Sequence, residues 1–150
     1  MTATELVHRI AIRRPPQAVY DYATTPGRWP EWHPSSLRLG PGADRPLPAG
    51  ARFQEDVRAG GREGQLFWIV RRSDAPQRWV ADAQASNGAQ LTLTYTMTPD
   101  GDGTLFERTL CYELPGFWLR LANRLLLRRR IEKESAESLR QLKQALEAAG

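Results

Sequence analysis

Leu91-Thr92-Leu93-Thr94-Tyr95-Thr96-Met97-Thr98 alternates apolar and polar side chains without a break. A period of two is the signature of a strand with one buried and one wet face, the pattern of an antiparallel sheet solvated on one side. The neighbours on both sides extend the reading. Upstream, Asn87-Gly88 is a tight hairpin signal joining this strand to Trp79–Ala85. Downstream, Asp100-Gly101-Asp102-Gly103 turns into a strand from Thr104 to Leu114. Farther upstream, Ala75-Pro76 closes a strand from Leu66 to Arg72, and Gly60-Gly61 predicts a hairpin back to Arg52–Ala59. A Gly- and Pro-rich loop, Gly40 to Gly50, precedes that strand and follows a short one at Leu37. Near the N-terminus, Leu6, His8, Ile10 and Ile12 share one face of a further strand. The chain therefore predicts about seven antiparallel strands.

Helices occupy what remains. Pro16 suits a first helical position, and Val19, Tyr20 and Ala23 follow with helical spacing. Pro26 opens a second short helix through Trp29 and Trp32, ended at His33-Pro34. After Pro115-Gly116 there is no Gly or Pro until Gly150, which predicts one long helix. Its second half carries a stripe of Ile131, Ser135, Leu139, Leu142 and Leu146, and its first half a stripe of Trp118, Leu121, Ala122 and Leu125. At about 100° per residue the two stripes are offset by roughly a quarter turn. Either the helix kinks near Leu127–Arg130, or its two halves face different company.

With 150 residues, 41% of them hydrophobic and 25% charged, the chain is expected to form a single globular α+β domain over residues 1–150. Cys111 is the only cysteine, so an intrachain disulfide is excluded and a cytoplasmic setting is expected. Met1 to Ile10 has no apolar run of the secretory type. The net charge is +4, carried by arginines apart from Lys133 and Lys143. No nucleic-acid-binding motif accompanies it, and no nucleic-acid partner is expected.

The order of strand, two short helices, six strands and a long terminal helix resembles the helix-grip fold of the START-like superfamily, in particular its polyketide cyclase/dehydrase branch. The resemblance is carried by Pro15-Pro16-Gln17-Ala18-Val19-Tyr20-Asp21-Tyr22, by Trp29-Pro30-Glu31-Trp32-His33-Pro34, by the Asp74-Ala75-Pro76 turn and by Leu139-Arg140-Gln141-Leu142-Lys143-Gln144-Ala145-Leu146-Glu147. It implies a curved sheet wrapped around the terminal helix, with a cavity between them for a hydrophobic small molecule or lipid-like metabolite. The superfamily spans lipid carriers, hormone receptors, coenzyme Q binders and aromatase/cyclases, and fold alone does not choose among them.

Strand parity names the expected lining: Phe53, Glu55, Trp68, Trp79, Leu93, Tyr95, Arg108 and Tyr112 from the sheet, with Trp118, Leu121 and Leu125 from the helix. Glu55 and Arg108 interrupt apolar faces. They read either as anchors for a ligand head group, balancing each other, or as residues at a strand end or bulge. Trp68, Trp79 and Tyr112 read equally as lining or as solid core. Ala81, Ala83 and Ala85 follow Trp79 on one face and leave volume unless a neighbour fills it. Trp29 and Trp32 are expected to clamp the short helices to the core, His33 to cap or lie at the mouth, and Cys111 to be a small hydrophobe on the opposite face. Phe117–Arg130 is apolar and basic together. It reads as the cavity's lid with a solvated arginine patch, in preference to a membrane-surface helix.

No catalytic motif is present: no zinc-ligand spacing, no GxSxG, no P-loop, no GxGxxG. No cofactor is expected. A cyclase of this fold would have Glu55, Tyr95, Arg108 and Tyr112 to work with. The remaining alternative is a packed core with a structural or partner-binding role.

Overall fold

The computed structural model describes residues 3–59 and 61–150, apart from the side chain of Ala59. Seven strands form one antiparallel sheet: β1 (Thr4–Ile12), β2 (Ser36–Leu39), β3 (Arg52–Ala59), β4 (Arg62–Asp74), β5 (Arg78–Ala85), β6 (Gln90–Asp100) and β7 (Gly103–Glu113). Their order is β1-β7-β6-β5-β4-β3-β2. Every connection from β2 to β7 joins neighbours, and β1 closes the far edge on β7. Between β1 and β2 lie helix α1 (Pro16–Ala23) and a 3-10 helix (Pro26–Glu31). After β7 come α2 (Phe117–Ala122), a π turn (Asn123–Leu127) and α3 (Arg128–Ala149). This is the helix-grip architecture.

The alternating strand at the centre of the reading is β6, with Leu93, Tyr95 and Met97 buried. Register then fixes the interior. Residues directly opposite in an antiparallel pair point to the same side. His8, Arg108, Tyr95 and Trp79 form one inward row across four strands. Thr4, Tyr112, Leu91, Ala83, Trp68 and Phe53 form another. A bulge between Val70 and Arg72 lets β4 run on to Asp74, past the expected end at Arg72. It turns Ser73 toward α1, where its hydroxyl meets Tyr20 Oη at 2.6 Å. Of the predicted Gly60-Gly61 hairpin, Gly60 lies outside the described residues. Gly61 has φ +84°, and Ala59 pairs with Arg62 across the turn. A Cβ on Gly61 would come within 2.8 Å of the Arg130 guanidinium, so this hairpin packs against the start of α3.

Ser135, Ser138, Leu139, Leu142 and Leu146 of α3 are buried in the grip. Its C-terminal end is tied down by Arg13 to Glu147 at 3.0 Å, Arg14 to the Leu146 carbonyl at 2.7 Å and Lys143 to the Ala11 carbonyl at 2.7 Å. A π turn interrupts the helix just N-terminal to the expected kink, and the two stripes face different company: Leu139, Leu142 and Leu146 are buried, whereas Trp118 and Leu125 are exposed. In the π turn the Arg128 N–H donates to the Asn123 carbonyl, five residues back. No helix among the described residues is long and apolar enough to cross a membrane.

Candidate functional site

The interior has two unlike ends. At the end near α1, aromatic rings fill the space. Trp79 stacks on Tyr95 with centroids 5.6 Å apart, and Tyr95 tilts onto Phe106 at 5.2 Å. Trp29 enters from the 3-10 helix, edge-on to Phe53, Trp68 and Trp79 at 5.5, 5.7 and 6.1 Å. Both indoles are hydrogen-bonded, Trp29 Nε1 to the Ala23 carbonyl at 2.8 Å and Trp79 Nε1 to the Leu47 carbonyl at 3.0 Å. The volume expected beside the β5 alanines is thus occupied over Ala81: Trp29 touches both tryptophans that flank it. Trp79, Ala81 and Phe106 have no exposed surface. The clamping role expected of Trp29 and Trp32 holds, since both are buried.

Polar side chains gather on the neighbouring inward positions. Arg108 is buried; its Nη1 donates to Ser135 Oγ of α3 at 2.8 Å, and Nη2 lies 3.1 Å from His33 Nε2. Glu55 is buried too and accepts from Trp68 Nε1 at 2.9 Å. The direct balance expected between Glu55 and Arg108 is not made; the arginine reaches neutral Ser135 and His33 instead. They sense each other only at longer range. Burial pushes the Glu55 carboxyl up to about 7, with Ser36, Trp68 and the Arg108 charge opposing that shift. Burial and the same arginine hold His33 well below its ordinary value, so it is neutral. A neutral imidazole has one acceptor nitrogen, yet two donors approach it. Ser35 N–H reaches Nδ1 at 3.1 Å, while Arg108 reaches Nε2. Burial also lowers His8, again with Arg108 contributing, and raises the Tyr95 phenol.

Several buried polar atoms lack partners among the described residues: Arg108 Nε, Trp32 Nε1, Ser36 Oγ and His8 Nδ1. The Ser36 hydroxyl is near enough to favour the Glu55 carboxylate but forms no well-directed hydrogen bond. A buried polar group without a partner costs about 1–3 kcal/mol.

Toward the β5–β6 hairpin and α2 the packing loosens. Leu66, Phe53 and Leu110 keep 8%, 7% and 6% of their surface, against none for Trp79 and Phe106. Tyr112 Oη donates to Asn123 Oδ1 at 2.6 Å, and Asn123 Nδ2 to Thr4 Oγ1 at 3.1 Å, latching the π turn to the sheet. Outside this latch is an open cleft of about 430 Å³ lined by Thr4, Glu5, Tyr112, Arg120, Arg124 and Arg128. A separate open trough of about 900 Å³ crosses the outer face of the sheet, over Phe67, Ile69, Gln84 and Thr92.

Of the residues expected to line the interior, Phe53, Glu55, Trp68, Trp79, Leu93, Tyr95, Arg108 and Tyr112 all point into it and are buried. Leu121 is half-buried, whereas Trp118 and Leu125 are 77% and 71% exposed and point away. The physical reason is the Asn123 latch. It turns Asn123, with Leu119, Ala122 and Leu127, toward the sheet and rotates the apolar stripe outward. Sequence reasoning missed Ser36, Ser135 and Asn123 as members of the polar interior. Ser135, a hydroxyl on an otherwise apolar stripe, was the available signal. Among the described residues no group of three or more His, Cys, Asp or Glu could hold a metal ion.

A family model described as polyketide cyclase/dehydrase and lipid transport matches residues 3–147. Penitrem biosynthesis cluster 1 protein I of Penicillium ochrochloron is 31% identical over 108 residues, 67% of this chain and 71% of its own. The crystal structure of TTHA0849 from Thermus thermophilus superposes with a TM-score of 0.79 at 21% identity, covering 98% of this chain and 99% of that one. DynU16, from the dynemicin biosynthetic locus, superposes with a TM-score of 0.65 at 17% identity over 97% of this chain, which spans about half (48%) of DynU16. With the family model matched from end to end of the sheet and through α3, the chain belongs to the polyketide cyclase/dehydrase and lipid transport family.

Proposed function

We propose that this protein binds a hydrophobic small molecule or lipid-like metabolite carrying an acidic or enolic oxygen, with its polar end at Arg108 and its apolar body toward Phe53, Leu66, Leu110 and Tyr112. The observation that carries this reading is the set of unpartnered buried atoms around Arg108. Arginine cannot shed its charge, and its nearest contacts are neutral. Glu55, the only buried acid among the described residues, has its carboxyl pushed up to about 7 and makes no hydrogen bond to Arg108. A ligand anion would supply both the missing acceptor and the missing charge. The few per cent of surface that Phe53, Leu66 and Leu110 keep supports entry from the α2 end. Calorimetric titration with dodecanoate and 2-naphthoate tests this, with native mass spectrometry of protein purified from its own source. Binding of either acid, weakened at least tenfold for its methyl ester, is expected. A protein that carries no co-purified mass and binds neither acid overturns the reading.

The second reading is a polyketide aromatase/cyclase, and one observation favours it. A buried carboxyl near 7 suits proton transfer at neutral pH. Membership of the family and similarity to proteins of biosynthetic loci point the same way. In that role Glu55 takes the proton α to a ketone, and Arg108 with the Tyr95 phenol steadies the enolate oxygen. The enolate carbon attacks a second carbonyl of the same chain, Glu55 returns its proton to the new alkoxide, and the hydroxyl then leaves with a proton from the adjacent carbon as water, forming the double bond. Glu55→Gln then lowers turnover of a poly-β-ketone thioester about 100-fold or more while leaving 2-naphthoate binding intact; unchanged turnover removes Glu55 as the base.

A further inference from the structure

We infer that the segment from Phe117 to Arg130 is a docking surface for an anionic lipid bilayer. Four of the seven large hydrophobic side chains exposed among the described residues lie within ten consecutive positions: Phe117, Trp118, Leu125 and Leu126. The π turn draws them toward one side. In a continuous α-helix Leu126 would stand well round from Phe117. Leu125, seven positions on, lies near Trp118 in any case; the wider turn between Asn123 and Leu127 slows the rotation and carries Leu126 back toward the same side, and all four side chains are exposed. The opposite side is anchored by Asn123 through Tyr112 and Thr4, so the patch is held outward by hydrogen bonds.

Charge identifies what covers the patch. The segment holds five arginines and no acidic residue. Since the whole chain carries +4, everything outside the segment is one negative charge in excess. The positive surplus of the protein is thus concentrated beside its exposed apolar patch. Arg120, Arg124 and Arg128 recur at every fourth position and line the cleft between this segment and the ends of β1 and β7. An apolar face flanked by a basic stripe is the arrangement that lies in the plane of a membrane interface. The rings and leucines enter the acyl boundary, and the arginines meet lipid phosphates. Trp118, half apolar and half polar, belongs at that boundary. None of the apolar or basic side chains of the patch belongs to the polar interior, although the Tyr112–Asn123–Thr4 latch that holds the patch outward borders it.

The full-length protein is tested by co-sedimentation with vesicles of equal parts phosphatidylcholine and phosphatidylglycerol, and of phosphatidylcholine alone. Binding to the anionic vesicles in low salt and its loss in about 0.5 M NaCl are expected. Arg120→Gln with Arg124→Gln lowers the partition coefficient about tenfold or more. Trp118→Ser with Leu125→Ser abolishes binding with an unchanged melting temperature, because both side chains are already exposed. Trp118 is also a built-in reporter, since Trp29, Trp32, Trp68 and Trp79 are all buried. Brominated lipids should quench the fluorescence of the unmodified protein and not that of Trp118→Phe. No sedimentation with anionic vesicles in low salt overturns the inference. So does binding that survives Trp118→Ser with Leu125→Ser. Sedimentation-velocity evidence that the patch joins two copies of the chain, without vesicle binding, overturns it in favour of a dimer interface.

Discussion

The two ends of the grip are built from the same strands and the same helix, yet they solve the packing problem differently. Near α1, the rings interlock, Trp79 stacking on Tyr95 and Trp29 standing edge-on to Trp79, and Trp79, Ala81, Phe106 and Leu142 are sealed from solvent. Toward α2, Phe53, Leu66 and Leu110 keep a few per cent of their surface; of the buried polar groups, Arg108 lies opposite Tyr95 in the row of the sealed end and Glu55 opposite Leu66 at the other. The sealed end is where the 3-10 helix inserts Trp29; the loose end has only a six-residue helix and a π turn above it. The difference lies within one core: interlocking rings seal one end, while the other keeps a little of its surface open.

The strongest way to break this division is to cut away the helix that both halves share. Removal of Leu139 to Gly150 takes out Leu139, Leu142 and Leu146, each worth about 1.5–3 kcal/mol of burial, and the ties of Glu147 and Lys143 to the β1 end. Set against a typical total of about 5–15 kcal/mol, the loss should unfold the protein at room temperature, read as loss of cooperative melting by circular dichroism. A truncated chain that melts near the full-length temperature would show that the sealed end stands without its helix.

A gentler comparison truncates one leucine at each end. Leu→Ala in a well-packed core costs about 2–5 kcal/mol, more where the surroundings cannot collapse. Leu142→Ala, at a fully enclosed site, belongs in the upper half of that range. Leu66→Ala, at the loose end, belongs at or below its lower limit. Chemical denaturation of the two variants gives the difference, and equal costs would mean that the ends are packed alike.

How much of this was written in the sequence depends on which physical signal each part uses. β6 announced itself through strict alternation, and the strands beside it through Asn87-Gly88 and the aspartate–glycine turn. Period-two patterning survives because each residue's side is set by the pleat alone. The inward set from Phe53 to Tyr112 followed from the same parity. What parity could not give was which inward side chains meet. Glu55 and Arg108 both face in, but their separation depends on the curl of the sheet across the strands between β3 and β7. The orientation of Trp118 and Leu125 was missed because a π turn has no compositional mark, and its cause is a tertiary hydrogen bond from Tyr112 to Asn123. Filling of the space over Ala81 by Trp29 was open for a similar reason: the ring comes from an element far upstream in the chain.

The polar set gives a pH signature that the sealed end lacks. Glu55 titrates near 7 in the folded protein against an ordinary value of 4.5. The folded state therefore binds the more protons between those values, and stability falls as pH rises from about 4.5 to about 7. His33 acts in the opposite sense: it stays neutral when folded, so the unfolded chain binds more protons below 6.5 and stability falls as pH drops. The two slopes partly cancel, and the variant separates them. Glu55→Gln should be more stable than the unmodified protein at about pH 8 by about 1–3 kcal/mol and show no gain at about pH 5. A difference between the two proteins that does not change with pH would place the carboxyl in contact with water.

The smallest effect is the most informative, because it reads the distance between Glu55 and Arg108. In a direct buried ion pair, removal of one member strands the other, at about 3–5 kcal/mol. Here the arginine's hydrogen bonds go to Ser135 and His33, and the glutamate's accepted bond comes from Trp68. Arg108→Leu therefore loses two hydrogen bonds from a charged donor, each about 1.5–3 kcal/mol, and a longer-range attraction. Glu55 can meet the loss of that attraction by taking up a proton, since its carboxyl already sits near 7. At about pH 6, where it is mostly protonated, the double-mutant cycle of Arg108→Leu with Glu55→Leu should give a coupling below about 0.5 kcal/mol. At about pH 8 the carboxylate is charged in the unmodified protein, and the coupling should rise to about 1–2 kcal/mol. In Arg108→Leu itself the Glu55 titration, followed by carboxyl carbon chemical shifts, should move upward, because the arginine charge that lowers it is gone. A coupling that is large at both pH values would mean that the two groups form a tight pair in solution. In that case the arginine has its anion within the protein, and a ligand acid would have to displace Glu55 rather than fill an empty place beside Arg108.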